Sequence, residues 1–399
     1  MEALADKSVR PTRFVVTAHV RGRPRLHRSK GVRGRWPAGL LFQLTLHNTC
    51  YRTLPDFRYL APLDTLRWRR AVSPTMISTW RNSAWRVLVA AFLLLCSAVA
   101  QDQSTTAGGP VARPKIVRPK IVGVAHIGLN TDNMAAARQF YTGVLGFQEP
   151  FSLDKPPGEG TGLLLTYFKV NDHQYIEVFP ELKDPKQDRL SHISFETTDA
   201  EQLRAYLGSR GVRVPDKLEP MLDGNRGFDV NDPDGHDVEF VQFMPGSLHS
   251  RNFGKFLADK RISQRIIHVG VVVKDRAAAD HFYKDILGFH EIWHGGMTDK
   301  DIDWVDMRVP DGTDWLEYML NVQNPDPKEL GVMHHFALGV PSVQAGYEVA
   351  LKRGYKPAEK PEIGRDGKWQ FNLYDPNYTR VELMEPKPVQ KPCCAPMLQ

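Results

Sequence analysis

The same order of apolar and polar positions occurs twice in this chain. Residues 121–147 begin with an alternating apolar run, pass through a short polar turn, and end in a helical pattern that closes with Phe-Tyr-x-x-x-Leu-Gly-Phe. Residues 266–289 repeat this order, and each apolar run contains a histidine, His126 or His268. Alternation predicts a strand, and apolar residues at helical spacing predict the helix that follows. An internal repeat predicts that one structural unit is used more than once.

The elements after this opening predict four β-α-β-β-β units arranged in two pairs. In the first half, one strand, one helix and three strands are followed by a new strand at His192–Thr197 and a helix over Ala200–Arg210, which Asp199 caps. The second half repeats this order with Ser342 in the capping position. The expected fold class is α+β. The predicted segments are 121–245 and 265–386 for the two folded repeats and 246–264 for the connector.

Charge separates the front of the chain from its body. Residues 1–75 contain 15 basic and 4 acidic residues, whereas residues 121–399 carry a net charge of −10. The whole-chain charge of +6 therefore comes from the front, and the acidic body gives no support for nucleic-acid binding. The basic, weakly apolar composition of residues 1–75 predicts disorder. We interpret this segment as a disordered or non-native extension upstream of a start at Met76.

Residues 76–100 have the layout of a secretory signal peptide. A basic segment precedes the apolar run Val87–Ala100, which ends in the small-residue cleavage signature Ala-Val-Ala. A spanning helix needs about 20 apolar residues, and this run is shorter. We therefore expect a secreted or periplasmic protein. The alternative is a single-pass membrane anchor, if residues 87–100 are not cleaved.

The remaining flanking segments carry little chemistry. Residues 101–120 are rich in Ser, Thr, Gly and Pro and are predicted to form a linker, and residues 387–399 form a Pro-rich tail. Cysteine occurs four times, at Cys50 and Cys96 in the leader and at Cys393 and Cys394 in the tail. No disulfide framework or zinc-thiolate site is therefore expected in the body, and the tail cysteines are interpreted as incidental in a loose segment.

Four side chains that can bind a metal recur in the same order, His-Glu-His-Glu, in both halves. The two copies are offset by 140 to 143 residues. Two imidazoles with two carboxylates suit borderline divalent ions such as Zn, Ni, Co, Mn or Fe(II), whereas two His and one Glu with open positions suit Fe(II) and dioxygen. The candidate ligands are His126, Glu177, His192 and Glu239 in the first half and His268, Glu317, His335 and Glu382 in the second.

Several other histidines and two tyrosines are not candidate metal ligands. His335 is preferred to His334 because HHFALGVPS then aligns with HISFETTD. Tyr141 and Tyr283 are interpreted as the buried faces of their helices. Five histidines have no counterpart in the other half and are interpreted as surface or pocket residues: His173, His236, His281, His290 and His294.

These motifs resemble the vicinal oxygen chelate superfamily, which includes glyoxalase I, extradiol dioxygenases, methylmalonyl-CoA epimerase and bleomycin-resistance proteins. The resemblance covers about 121–245 and 265–386. It rests on FYTGVLGF and FYKDILGF, HISFETTD, DPDGHDVEFV and DPNYTRVELMEP. It implies two tandem domains of this superfamily, with curled mixed sheets around a metal cleft, and it implies the eight candidate ligands above as metal positions.

The resemblance leaves the arrangement of the sites open. Each repeat can hold its own site, or the repeats can exchange halves as glyoxalase I subunits do. A monomer with two internal repeats and a homodimer both remain compatible with the sequence. The exchanged sets would be His126 and Glu177 with His335 and Glu382, and His268 and Glu317 with His192 and Glu239.

The shared chemistry that the resemblance implies is binding of two vicinal substrate oxygens to the metal. With both glutamates bound, Glu239 or Glu382 can act as a general base on a carbon acid, which favours a glyoxalase-like lyase or isomerase with a small-molecule substrate. With Glu177 or Glu317 unbound, an Fe(II) site has room for substrate and dioxygen, as in an extradiol-type ring-cleaving dioxygenase. A non-catalytic small-molecule-binding or resistance protein is the third alternative. The signal peptide argues against glutathione-dependent glyoxalase I.

We expect the exported form of this chain to begin at Gln101, because the cleavage signature ends at Ala100. Mass spectrometry of the N-terminal peptide, on protein secreted by an expressing host, tests this. A secreted product that still carries residues 1–75 would contradict the interpretation.

Overall fold

The computed structural model describes residues 116–398. The upstream extension, the signal-like segment and most of the linker lie outside the described residues, so the expectations for them stay predictions. Within residues 116–398, no helix combines the length and apolar character that a membrane crossing requires.

Strands dominate both halves of the body. Those of the first half are β1 Ile121–Asn130, β2 Ser152–Asp154, β3 Leu163–Lys169, β4 Tyr175–Phe179, β5 Leu190–Thr197, β6 Arg226–Asn231 and β7 Asp237–Gln242. Those of the second half are β8 Ile266–Val272, β9 His290–Gly295, β10 Trp304–Arg308, β11 Trp315–Met319, β12 His335–Gly339, β13 Glu362–Ile363, β14 Trp369–Tyr374 and β15 Arg380–Met384.

The helices are short. They are α1 Met134–Arg138, α2 Ala200–Ser209, α3 Leu248–Arg251, α4 Arg276–Ala279, α5 Pro327–Met333 and α6 Val343–Lys352. Helices α1 and α4 each continue into a wider, π-helical turn, and these turns are Gln139–Val144 and Asp280–Ile286. The Phe-Tyr pair of each repeated motif therefore lies in a π-helical turn rather than in the regular helix that the spacing predicts.

Each half builds one mixed sheet. The first has 7 strands in the order β2-β3-β4-β1-β5-β7-β6, and the second has 8 in the order β13-β14-β15-β12-β8-β11-β10-β9. At the centre of each sheet, the opening strands of the two units pair antiparallel, and each is flanked by the parallel closing strand of its own unit. The predicted α+β fold with four β-α-β-β-β units is confirmed.

One unit departs from the full pattern, and some elements were not located from the sequence. The second unit of the first half has β6 and β7, and the place of its third strand is taken by an isolated bridge between Pro220 and Arg226. The predicted caps are present, because Asp199 accepts from the Gln202 N–H and Ser342 from the Ala345 N–H. The sequence reading missed β9, β13, α3 and α5, although a capping box begins α5.

The two faces of each sheet have different surroundings. On β1, Ile127 and Leu129 belong to the main apolar core, whereas His126 and Gly128 lie on the opposite face. Strand β8 repeats this alternation, as the period of two along a strand requires. The main core draws side chains from both halves, so it joins them. The candidate ligands therefore lie on the faces that point away from the shared core.

Tyr141 and Tyr283 connect the two halves as well as filling the buried faces of their helical turns. Tyr141 Oη donates to Asp375 Oδ2 at 3.1 Å, and Tyr283 Oη donates to Asp232 Oδ2 at 3.0 Å. Both tyrosines are fully buried. Each Asp belongs to the Asp-Pro turn of the opposite half, so the contacts are reciprocal and relate the halves by an approximate twofold axis.

The C-terminal tail packs against the second sheet, so the expectation of a loose tail is wrong. The Leu398 N–H donates to the Ile292 carbonyl, and Trp293 Nε1 donates to the Cys393 carbonyl at 3.3 Å. Cys393 and Cys394 are joined by a disulfide bond. The physical reason is that β9 is an edge strand, whose unpaired backbone groups and neighbouring side chains the tail covers.

Removing either inter-half hydroxyl should destabilise the whole body. We expect Tyr141→Phe and Tyr283→Phe each to lower the free energy of unfolding by about 1–3 kcal/mol, because each removes one donor to a buried carboxyl that joins the two halves. Tyr378→Phe is the matched control, since its ring is 36% exposed, and it should change stability by about 0.5 kcal/mol or less. Urea denaturation measures all three. Equal, small effects at the three positions would contradict the docking role.

Candidate metal centres

Three candidate ligands of the first half, His126, Glu177 and His192, converge on one point, and the fourth, Glu239, contacts His126. His126 Nε2 lies 2.9 Å from His192 Nε2, 3.5 Å from Glu177 Oε1 and 3.4 Å from Glu239 Oε1. His192 Nε2 lies 3.6 Å from Glu177 Oε2. We call His126, Glu177, His192 and Glu239 cluster 1.

The second half repeats this convergence. His268 Nε2 lies 3.1 Å from His335 Nε2, 3.8 Å from Glu317 Oε2 and 3.6 Å from Glu382 Oε2. His335 Nε2 lies 3.1 Å from Glu317 Oε2 and 3.8 Å from Glu382 Oε2. We call His268, Glu317, His335 and Glu382 cluster 2. The structure brings together the two within-repeat sets and does not form the exchanged sets.

Strand order explains why the ligands meet within a half. His126 on β1 has Glu177 on the parallel neighbour β4 and His192 on the antiparallel neighbour β5, and Glu239 follows on β7, the next strand beyond β5. Four adjacent strands of one curled sheet thus each supply one side chain to the same face. Cluster 2 uses β8, β11, β12 and β15 in the same way.

Two glycines that the sequence reading missed make room for the second histidine of each cluster. Gly128 pairs with His192 across the sheet, and Gly270 pairs with His335. A Cβ atom on either glycine would overlap the imidazole of its partner. Each glycine follows the first histidine at a spacing of two, as His-x-Gly in both repeats, so this signal was present in the sequence.

The distances within two groups of three ligands, His126 with Glu177 and His192 and His268 with Glu317 and His335, fit a shared divalent ion. Ligand atoms about 2.1 Å from a tetrahedrally coordinated ion are about 3.4 Å from one another, close to the separations found here. Every ligand side chain is at most 14% exposed, so water screens the clusters little. The His335 Nδ1–H donates to the Met333 carbonyl at 2.9 Å, which directs the Nε2 lone pair into cluster 2.

Cluster 1 concentrates acidic groups away from water. Burial and the charge of Glu239 raise the pKa of Glu177 well above its usual value, and burial and Asp229 raise the pKa of Glu239 to about 8. Burial lowers the pKa of His192 to about 4, which keeps that imidazole neutral. A bound cation would compensate the two carboxylates and displace their protons, so the donor set of cluster 1 suits a divalent ion.

Cluster 2 contains a side chain that cluster 1 lacks. Arg380 Nη2 lies 2.7 Å from His335 Nε2 and 3.9 Å from Glu317 Oε2. Burial alone would raise the pKa of Glu317, but its contacts with His335 and His268 and the charge of Arg380 outweigh it and lower that pKa to about 2. Glu317 is therefore ionised at neutral pH. Arg380 was not singled out from the sequence.

The histidines set aside in the sequence stay outside both clusters. His236 pairs with Asp232 at 2.9 Å, and His334 pairs with Asp188 at 2.7 Å, so both are partnered at the interface between the halves. His249 of α3 was missed. It is buried on the cleft side of the first sheet, where it stacks on the ring of Phe243. It lies in the connector, outside the two repeats, so comparison of the repeats did not reveal it.

A cavity of about 400 Å³ opens beside cluster 2. It reaches His268, Glu317 and Glu382, and Trp293 and Trp304 form part of its wall. Beside cluster 1, a cavity of about 320 Å³ reaches Glu239 alone among the four ligands. The two clusters are thus accessible to different extents.

Several known proteins resemble parts of this chain in sequence. A lactoylglutathione lyase of Neisseria meningitidis is 28% identical over 125 residues, which cover 30% of this chain and 91% of that protein. An iron-dependent extradiol dioxygenase of Rhodococcus jostii is 27% identical over 178 residues, which cover 42% of this chain and 55% of that protein.

Solved structures share the fold at lower identity. The 2,3-dioxygenase LapB from Pseudomonas sp. KL28 superposes with a TM-score of 0.53 and 14% identity, covering 69% of this chain and 97% of that one. The Mn(II)-bound glyoxalase from Novosphingobium aromaticivorans gives a TM-score of 0.50 and 17% identity, covering 67% and 83%. These likenesses establish the fold and leave the reaction to other arguments.

The family model described as the glyoxalase/bleomycin resistance protein/dioxygenase superfamily matches twice, at residues 123–240 and 265–383. Together the two matches cover more than half of the chain, and each contains one complete cluster. The resemblance inferred from the sequence motifs is therefore confirmed, and the chain belongs to the glyoxalase/bleomycin resistance protein/dioxygenase superfamily.

Proposed function

We propose that this protein is a metal-dependent enzyme that binds a small substrate with vicinal oxygens at cluster 2 and catalyses a glyoxalase-like lyase or isomerase reaction. The observation that carries the proposal is the cavity of about 400 Å³ that reaches His268, Glu317 and Glu382. A ligand in that cavity would lie against three of the four proposed ligands. A sequence relative named as a lactoylglutathione lyase supports the reaction class.

A divalent ion held by cluster 2 would supply Lewis-acid polarisation to the two substrate oxygens. His335 is held in the tautomer that leaves Nε2 free, because its Nδ1–H is used by the Met333 carbonyl. The pKa of Glu382 is lowered, since its contact with His268 outweighs burial, so its carboxylate is available as the general base that receives a proton from substrate carbon. The metal, among Zn, Ni, Co, Mn and Fe(II), is left open by this donor set.

The cavity wall combines aromatic side chains with polar ones. Trp293, Trp304 and Met384 contribute to it, and Trp315 is packed behind His268, with ring centroids 5.0 Å apart. The rest of the wall is mostly polar and includes Arg365 and Gln370. Such a wall can hold the flat body of a substrate by contact with the aromatic rings and bind its polar substituents by hydrogen bonds. Each cluster is complete within one chain, so we propose that one chain suffices for metal and substrate binding.

A ring-cleaving dioxygenase is the second candidate. The iron-dependent extradiol dioxygenase among the relatives and the aromatic cavity wall favour it. Oxygen uptake with catechols, by protein loaded anaerobically with Fe(II), would support this candidate over a lyase. Binding of such ligands without turnover under any metal loading would support the non-catalytic alternative. We also propose export through the signal-like segment, on the basis of its sequence alone.

A matched pair of variants separates the role of Glu382 in cluster 2 from that of Glu239 in cluster 1. We expect Glu382→Gln to lower kcat/KM by about 10²–10⁴-fold on the α-carbonyl or hemithioacetal substrate that a screen identifies, because it removes the base in the open cavity. Glu239→Gln makes the same change in cluster 1 and should leave kcat/KM close to the unmodified value. A larger loss from Glu239→Gln would reverse the assignment of the substrate cleft.

Metal binding tests whether Gly270 provides the space that His335 needs. We expect Gly270→Ala to weaken metal binding at cluster 2 by about 10–100-fold, because the new methyl group displaces the His335 ring. Gly143→Ala is the control, since its Cβ would lie 3.8 Å from the nearest atom, at ordinary contact distance. Plasma mass spectrometry after dialysis against graded chelator measures both. Unchanged affinity in Gly270→Ala would count against His335 as a ligand.

A further inference from the structure

The two clusters have the same ligands but different charged neighbours. Strand register identifies the equivalent positions, because Glu239 pairs with Asp229 on β6 and Glu382 pairs with Asn372 on β14. Two residues before each of these glutamates, on the same side of the strand, the first half has Asp237 where the second has an arginine. The repeats thus differ in charge at two positions next to the same ligand.

The surroundings of cluster 1 are acidic. Asp229 lies opposite Glu239 in the sheet, and Asp223 is buried at 5% exposure beside Asn225. Among the described residues, no Lys or Arg nitrogen lies within 4.0 Å of the carboxylates of Glu177 or Glu239. No permanent cation among the described residues therefore contacts the two carboxyl groups of cluster 1.

The surroundings of cluster 2 contain two permanent cations, Arg380 and Lys368, and two buried acids, Asp306 opposite Glu317 and Asp366 beside Lys368. Arg380 Nη2 is 2.7 Å from His335 Nε2, the atom proposed to bind the ion. Lys368, at 1% exposure, pairs with Asp366 at 2.9 Å and lies 3.9 Å from the sulfur of Met384 on the cavity wall. The first-half residue at the position of Lys368 is the neutral Asn225.

These differences act directly on a divalent ion. A guanidinium cannot lose its proton in a protein, so Arg380, whose Nη2 lies 2.9 Å from His335 Nδ1 as well as 2.7 Å from Nε2, repels any cation that enters cluster 2. Because the site is shielded from water, the repulsion is screened less than at a surface. In cluster 1 Asp229, which lies opposite Glu239, attracts the same ion instead.

We propose that cluster 1 is a tight metal site that retains its ion, whereas cluster 2 is a weak, exchangeable site, and that Arg380 sets this difference. The inference rests on the proposed metal centres. It implies that the ion beside the large cavity, where the substrate binds, is the one that exchanges with solution. The ion in cluster 1 would then have a structural role within the first sheet.

Titration of the metal-free chain with Mn(II), followed by the electron paramagnetic resonance signal of free Mn(II), tests the inference. We expect two classes of site with affinities at least about tenfold apart, the usual scale of effects from groups around a metal site. His192→Ala should remove only the tight class, and His335→Ala only the weak class. Circular dichroism confirms that each variant is folded.

A charge exchange between the repeats isolates the effect of the arginine. Arg380→Asp should strengthen the weak class by at least about tenfold, and Asp237→Arg should weaken the tight class by a similar factor. Arg380→Gln removes only the charge and should give a smaller gain in affinity. It replaces Arg380→Asp in the test if that variant does not fold. Lys356→Asp, on an exposed residue, makes the same change in net charge and should have little effect.

The results that would overturn this inference differ from those that would overturn the proposed function. Two classes of equal affinity, or a weak class that does not respond to either change at Arg380, would overturn the inference while leaving both metal centres in place. Loss of the tight class in His335→Ala would reverse the assignment of the sites. Absence of Mn(II), Zn(II), Co(II), Ni(II) and Fe(II) binding at both clusters would instead overturn the proposed function.

Discussion

The burial of two histidines and two glutamates at one point in each sheet is the constraint on which the rest of the structure depends. Carboxylates removed from water are costly unless another charge compensates them. The strand order meets this constraint by placing four adjacent strands of one half around the same point, and Gly128 or Gly270 leaves space for the second imidazole. The shared apolar core lies on the other face of each sheet, so the polar clusters and the core do not compete for the same side chains.

Docking of the halves depends on a second reciprocal arrangement. Tyr141 and Tyr283 each end a repeated helical motif, and each donates a hydrogen bond to the Asp-Pro turn of the opposite half. That turn immediately precedes the strand bearing Glu239 or Glu382. The interface therefore holds the strand that carries the fourth proposed ligand of each cluster, which links the stability of the body to the geometry of both sites.

The two repeats have the same proposed ligands but different residues around them. The first half has Asp237 and an acidic neighbourhood, whereas the second has Arg380, Lys368 and a larger cavity that reaches three ligands. This asymmetry is the basis for proposing that substrate binds in the second half. Sequence relatives of this chain are named as a lyase and as a dioxygenase, so membership of the superfamily alone does not choose between the two chemistries.

The sequence by itself determined the repeat, the α+β fold with four units and the eight candidate ligands, because these follow from local periodicity and from residues that recur in order. The superfamily was inferred from the resemblance of the repeated motifs to those of a known family. The sequence did not decide between within-repeat and exchanged ligand sets, since both place the same residues on the same strands. That choice depends on which strands pair, and strand pairing is a long-range contact. Three further features likewise exist only once distant segments of the chain meet. They are the contact of Arg380 with His335, the packing of the tail over β9, and the space that Gly270 leaves for His335.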